Sequence, residues 1–339
     1  MHKQWHIITI YSLTHFLIDF ACAFLMFHSI VKTPDFYLCI LLYNFFSFAV
    51  QMPLGILADK WNRNYLFAII GCILVAASYG FSFFYILAAV TLGIGNGLFH
   101  IGGGIDVLNM SEKKSGALGV FVSPGALGVY FGTMLGKGAA FSSIFILSFL
   151  LVATLFIFLM HKFQSRLYTE NAELSLAGAF SPNVLMAIAC FFIVVCIRSF
   201  VGLSLNFPWK SSGYWGVILI FAVVLGKIAG GFLMDRFGIR KTVYLSLGLS
   251  ALLFLFSQIS LLGVIAVFLF NMTMPITLWI MAKILKGAKG FAFGLLIFGL
   301  FLGFLPAYFG TSIISTTVFA LLAFVSLILL FIGIKRVKI

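Results

Sequence analysis

Long apolar runs separated by short polar or glycine-rich breaks dominate the chain. They fall near residues 5–31, 36–58, 65–81, 84–108, 115–136 and 139–160, and again near 183–206, 212–234, 242–259, 261–282, 288–309 and 311–333. About 20 apolar residues cross a hydrocarbon core as a helix, so each run predicts one membrane span. The pattern as a whole predicts an all-α polytopic protein of twelve spans. One long polar segment, His161 to Pro182, separates two six-span sets, which places the halves at 1–160 and 183–339 with a linker over 161–182. The breaks near Phe83, Ser260 and Gly310 are the shortest.

Composition agrees with this pattern. The 339 residues are 63% hydrophobic and 9% charged, against roughly 25% charged in soluble domains, which excludes a soluble globular chain. The net charge of +13 would suggest nucleic acid in a soluble protein, but the cations gather at span ends and record topology instead. With the amino end inside, inner loops and tails hold Lys3, Lys60, Arg63, Lys113, Lys114 and Lys338 among others, and outer loops hold only Lys32, Lys137 and Lys210. Both termini are therefore expected in the cytoplasm. The first run follows MHKQ directly and lacks a small-residue cleavage site, so it reads as a retained span. Cys22, Cys39, Cys72, Cys190 and Cys196 all lie in apolar runs without the spacing of a metal site or disulfide framework, and no metal or cofactor is expected.

Ionisable residues inside spans are costly and normally face a partner or an aqueous pathway. His15 and Asp19 lie one turn apart on one face of the first span; they are the candidates for proton coupling, the alternative being a static pair that ties spans together. Arg198, Lys227, His100, Asn96 and Asn271, with Gln51 at the position corresponding to Lys227, are candidates for the substrate pathway. Arginine suits carboxylate or phosphonate groups because its planar fork donates in parallel. Asp106, near the inner end of the fourth span, is expected to pair locally with Lys113 or Lys114. Glycines at four-residue spacing, as in Gly128, Gly132 and Gly136, or Gly226 and Gly230, predict close helix approach.

Two loops are similar to each other. GILADKWNRN, Gly55 to Asn64, follows the second run, and GGFLMDRFGIRK, Gly230 to Lys241, follows the eighth. Gly55 and Gly231 stand 176 positions apart, as do Asp59 and Asp235, and each aspartate precedes a cation, Lys60 or Arg236. One device after the second span of each half indicates an internal repeat. These loops resemble the hallmark of the major facilitator superfamily of secondary transporters, G-x-L-x-D-R-x-G-R-R/K, with its degenerate second copy. The first copy departs from it at Asn62, in place of the second glycine, and at Asn64, in place of the last cation. The second keeps Gly238 but has Ile239 before Arg240 and Lys241.

The resemblance implies two pseudo-symmetric six-helix halves, alternating access, and a monomer in lipid that moves a small molecule. It assigns gating to Gly55, Asp59, Lys60 and Arg63 and to Gly231, Asp235, Arg236 and Arg240, where a carboxylate pairs with loop cations or an adjoining helix amino end. A topogenic charge cluster is the alternative. It also implies that spans 1 and 7 face one cavity, with Arg198 pairing with Asp19 or with substrate.

More narrowly, T-H-F-L-I-D over Thr14 to Asp19 and G-I-G-N-G-L-F-H over Gly93 to His100 resemble fosmidomycin-resistance-type efflux proteins, although Ile101 replaces a usual proline. SPGALGVYFG, Ser123 to Gly132, is loosely similar to the fifth-span motif of antiporters. This implies proton-coupled efflux of an anionic or zwitterionic compound. Proton symport of an organic acid or sugar uses the same parts. A polytopic membrane enzyme or a non-transporting scaffold is less well supported, because the eight acids are scattered and form no catalytic constellation.

Overall fold

In lipid every backbone polar group must be satisfied within its own segment, and the apolar runs accordingly form helices. The computed structural model describes residues 4–138, 141–176, 180–311 and 315–337. Lys3 and Lys338 lie outside the described residues. The helices of the first half are α1 (Trp5–His28), α2 (Phe36–Trp61), α3 (Asn64–Phe81), α4 (Tyr85–Met110), α5 (Gly116–Lys137) and α6 (Ser143–Gln164). Those of the second are α7 (Pro182–Ser204), α8 (Trp215–Phe237), α9 (Ile239–Leu255), α10 (Ser260–Ile284), α11 (Lys289–Tyr308) and α12 (Thr316–Arg336). Eleven of these are long and apolar enough to cross a membrane. The twelfth, α9, is an apolar helix of 17 residues.

By contact the chain forms two compact units. One gathers Met1–Met110, Val120–Leu174 and Gly287–Gly294; the other gathers Ser111–Gly119, Ser175–Lys286 and Leu295–Ile339. Inside the first, α6 packs on α1 and α3, and α2 packs on α4; inside the second, α12 packs on α7 and α9, and α8 packs on α10. The same pairings recur six helices apart, which is the internal repeat seen in the loops.

Glycine sets the closest approaches. A Cβ at Gly128 or Gly132 would run into the α1 carbonyls of Phe16 and Phe20, and one at Gly226 or Gly230 into those of Phe268 and Met272 on α10. The four-residue spacing therefore marks surfaces where two backbones meet.

Three spans are locally irregular. A π turn, Phe45–Ala49, interrupts α2 just before Gln51. Helix α10 breaks at Met272, between its Ser260–Asn271 and Thr273–Ile284 parts. In α5, Pro124 has no N–H to give the carbonyl four residues back; the Ser123 hydroxyl donates to Val120 O instead, at 3.0 Å. Helix α2 ends at Asn62, in the left-handed region at φ 51°, so asparagine makes the turn that the hallmark assigns to glycine.

The polar segment after α6 is strapped onto the first unit. Asn171 donates its backbone N–H to Asn62 Oδ1 (2.8 Å) and its amide to Ala58 O and Asn64 Oδ1 (both 3.1 Å). Its own Oδ1 accepts from Asn64 (2.9 Å) and Asn109 (2.8 Å). The two asparagines that depart from the hallmark are thus the partners of this strap. Nearby, burial first and Asp106 second push the Tyr168 phenol above its ordinary pKa, so it stays neutral at any physiological pH. The described hydrogen bonds of Asp106 lie inside the first unit: it accepts from Tyr11 Oη (2.7 Å) and Asn64 Nδ2 (2.8 Å), and Lys113 and Lys114 are exposed. Partners on α1 and α3 reach it inside the bundle, whereas the lysines follow the end of α4.

Candidate functional site: a histidine–aspartate cluster

Helix α1 presents His15 and Asp19 on one face, one turn apart, and α4 presents Asn96 and His100 with the same spacing. The four meet inside the first unit. His15 Nε2 lies 3.2 Å from Asp19 Oδ2 and 2.9 Å from His100 Nε2, and His100 Nε2 lies 3.8 Å from Asp19 Oδ1. Asn96 donates to Asp19 Oδ1 at 2.9 Å and accepts from Ser47 Oγ at 2.5 Å. His15 and His100 are buried; the Asp19 side chain keeps 14% exposure.

Both imidazole tautomers follow from their partners. His15 Nδ1 faces Phe121 O at 2.7 Å and His100 Nδ1 faces Asn96 O at 2.8 Å. A carbonyl only accepts, so each Nδ1 carries the hydrogen. In the neutral rings both Nε2 atoms then present lone pairs to one another and to a carboxylate. Three acceptors converging in a buried site require a cation among them, as a proton on one ring or as another positive ion.

The break in α5 belongs to this site. It places Phe121 O under His15, and it puts Gly125 against the cluster, where a Cβ would strike Asp19 Oδ2 and His15 Nε2. Neither Phe121 nor Gly125 is among the candidates that the sequence offers. The SPG break at Ser123 is the signal that could have found them.

Arg198 belongs to the second unit. It is buried, and its Nη2 donates to Thr277 Oγ1 at 3.1 Å. Its Nε and Nη1 find no acceptor among the described residues. A small cleft lined by Val195, Met274, Thr277, Leu278, Ile297 and Leu300 opens beside it. An anionic group bound there would take those two donors. Asn271 donates to Val267 O within its own helix, at 2.9 Å, and so differs from Asn96, which joins a site. Gln51 is buried and donates to Ser47 O (2.6 Å), leaving Oε1 unpartnered among the described residues; Lys227 is half-buried in the second unit.

The repeated loop aspartates hold helix amino ends. Asp59 accepts from the backbone N–H groups of Gly290 (2.8 Å) and Phe291 (2.9 Å) at the start of α11. Asp235 accepts from those of Ser115 (2.7 Å) and Gly116 (2.9 Å) at the start of α5. Gly55 meets the Gly290 carbonyl, and Gly231 meets that of Ser115. Asp235 also accepts from the Ser115 hydroxyl at 3.0 Å, and Lys60, Arg63, Arg236 and Arg240 stand exposed, so the described hydrogen bonds of both aspartates run to residues at helix amino ends rather than to loop cations.

No family model and no curated protein matches the sequence. Solved structures do. The E. coli fucose:proton symporter FucP aligns with a TM-score of 0.68 at 13% identity, covering 98% of each chain. The human organic anion transporter MFSD10 gives 0.69 at 16%, covering 96% of this chain and 99% of the other. A bacterial homologue of the iron transporter ferroportin, in its outward-facing state, gives 0.67 at 15%, covering 97% and 99%. At such identities the likeness is one of fold, and the fold is that of the major facilitator superfamily.

Proposed function

We propose that the chain is a secondary transporter of the multi-pass cell-membrane type, moving a small organic solute by alternating access and coupling it to protons. Its halves are 1–160 and 183–339, joined by the cytoplasmic linker 161–182, and it works as a monomer with both termini inside. The carrying observation is the cluster of His15, Asp19 and His100, whose lone pairs converge at hydrogen-bond distance inside the bundle. Such a group takes up and releases a positive charge as access to it alternates. Asp19, with the greatest exposure of the three, is the entry point for the proton, and His15 and His100 relay it.

Arg198, with two donors unpartnered among the described residues, supports an anionic or zwitterionic substrate, and Lys227, Asn96, Asn271 and Gln51 are the remaining pathway candidates. The contacts of Asp59 and Asp235 with helix amino ends join segments from opposite sequence halves. They are the proposed latches, made in one conformation and broken in the other, with Gly55 and Gly231 allowing the approach. The direction proposed is efflux by antiport, on the T-H-F-L-I-D and G-I-G-N-G-L-F-H segments. Nutrient symport is the second reading, favoured by the structural likeness to a fucose:proton symporter. Asp19→Asn tests the coupling: in proteoliposomes it abolishes transport driven by a pH gradient and leaves counterflow exchange measurable. Undiminished gradient-driven transport by that variant removes Asp19 from the coupling role.

A further inference from the structure

We infer that His15, Asp19 and His100 form a reversible binding site for a divalent first-row transition-metal ion. The inference concerns the proposed coupling cluster but stands or falls separately from proton coupling. It departs from the expectation of no metal, which was read from cysteine spacing, whereas these candidate ligands come from separate helices.

Three observations carry it. The first is the donor set: two imidazole Nε2 atoms and a carboxylate, with ligand atoms all within 4.8 Å of one another. His15 Nε2 lies 2.9 Å from His100 Nε2 and 3.2 Å from Asp19 Oδ2, close to the edge of about 3.3 Å expected for a tetrahedral ion with bonds of about 2.0–2.1 Å. The other carboxylate oxygen, Asp19 Oδ1, stands 3.8 Å from His100 Nε2, so one ion reaches all three residues once the carboxylate turns one oxygen toward both rings. The second is the surrounding shell. Metal-bound histidines donate the other ring N–H to a carbonyl or carboxylate, which fixes the tautomer whose Nε2 lone pair ligates the ion. Both histidines do this here, to Phe121 O and Asn96 O, and Asn96 holds the carboxylate as well. The third is space. Gly125 sits where any Cβ would strike the ligand atoms of His15 and Asp19, and the Asp19 side chain is partly exposed.

The chemistry selects the ion class. Two neutral imidazoles and one carboxylate carry a single negative charge, which suits a dication. Mixed nitrogen and oxygen donors favour zinc, cobalt, iron or manganese over magnesium and calcium, which take oxygen ligands, and over copper(I), which takes sulfur. Three protein ligands leave at least one coordination position for water or a solute donor, the arrangement of an exchangeable site rather than a closed structural one.

The test uses purified full-length protein stripped by a chelator and titrated with Co²⁺. The expected result is one equivalent bound per chain with ligand-field absorption bands, displaced by Zn²⁺ but not by a hundredfold excess of Mg²⁺. X-ray absorption of the wild-type complex should count two imidazole ligands, a reading that needs no variant to fold. His100→Ala and Gly125→Ala should each weaken Co²⁺ binding at least tenfold while eluting as the wild type does, and His28→Ala should leave it unchanged. Absence of stoichiometric Co²⁺ binding, fewer than two imidazoles, or binding undiminished in a His15→Ala/His100→Ala double variant would overturn the inference. Proton coupling measured in metal-free vesicles stays informative in either case.

Discussion

At the residue scale, the cluster depends on two features that are invisible in helical spacing. The His15–Asp19 pair is legible because an i,i+4 pair shares a face wherever the helix packs. That His100 completes it, and that Phe121 O and Gly125 shape it, depends on contacts across 85 to 110 positions of chain, which spacing within one run does not encode. The same limit explains Asp106: the nearby lysines were readable, whereas Tyr11 and Asn64 reach it through the fold. Gly125→Ala is the sharpest steric probe here. It should cost about 1–3 kcal/mol as overpacking, read as a lower melting temperature, together with loss of gradient-driven transport. An unchanged melting temperature with full transport would show that the ligand atoms are not crowded at Gly125.

At the scale of elements, the apolar runs and their polar breaks located the spans to within a few residues, since in lipid a helix must persist across the core. The repeat was legible as well, because both loops keep glycine, aspartate and cation in order. What the loops bond to was not. Asp59 and Asp235 satisfy helix amino ends contributed by distant sequence, which no pattern within either loop names. Asp59→Ala should cost about 1 kcal/mol, the usual worth of a carboxylate at such an end, and should change the rate of substrate exchange more than its affinity. Neutralising Lys60 should have a smaller effect than Asp59→Ala; the reverse order in exchange kinetics would restore the cation as the main partner. The strap has its own test. Asn171→Ala removes side-chain partners from Ala58 O, Asn64 and Asn109 at once while keeping the backbone N–H that Asn62 accepts, and hydrogen exchange at the α2–α3 turn should rise clearly if the strap holds that turn.

At the scale of the whole molecule, the structure pairs a fold shared with transporters with polar groups held in the interior of each unit. The first unit carries a cluster that requires a positive charge, and the second carries a buried arginine with two donors unpartnered among the described residues. Each is costly in an apolar bundle, and the proposed solute movement coupled to protons would give each a task. Proteoliposomes with an imposed pH gradient and an internal pH dye test this claim most directly, challenged with a panel of small organic anions, zwitterions and sugars. The account predicts that at least one compound dissipates the gradient in wild-type vesicles and that none does in Asp19→Asn vesicles. A panel without effect on the wild type, or dissipation of equal rate in the variant, would contradict it.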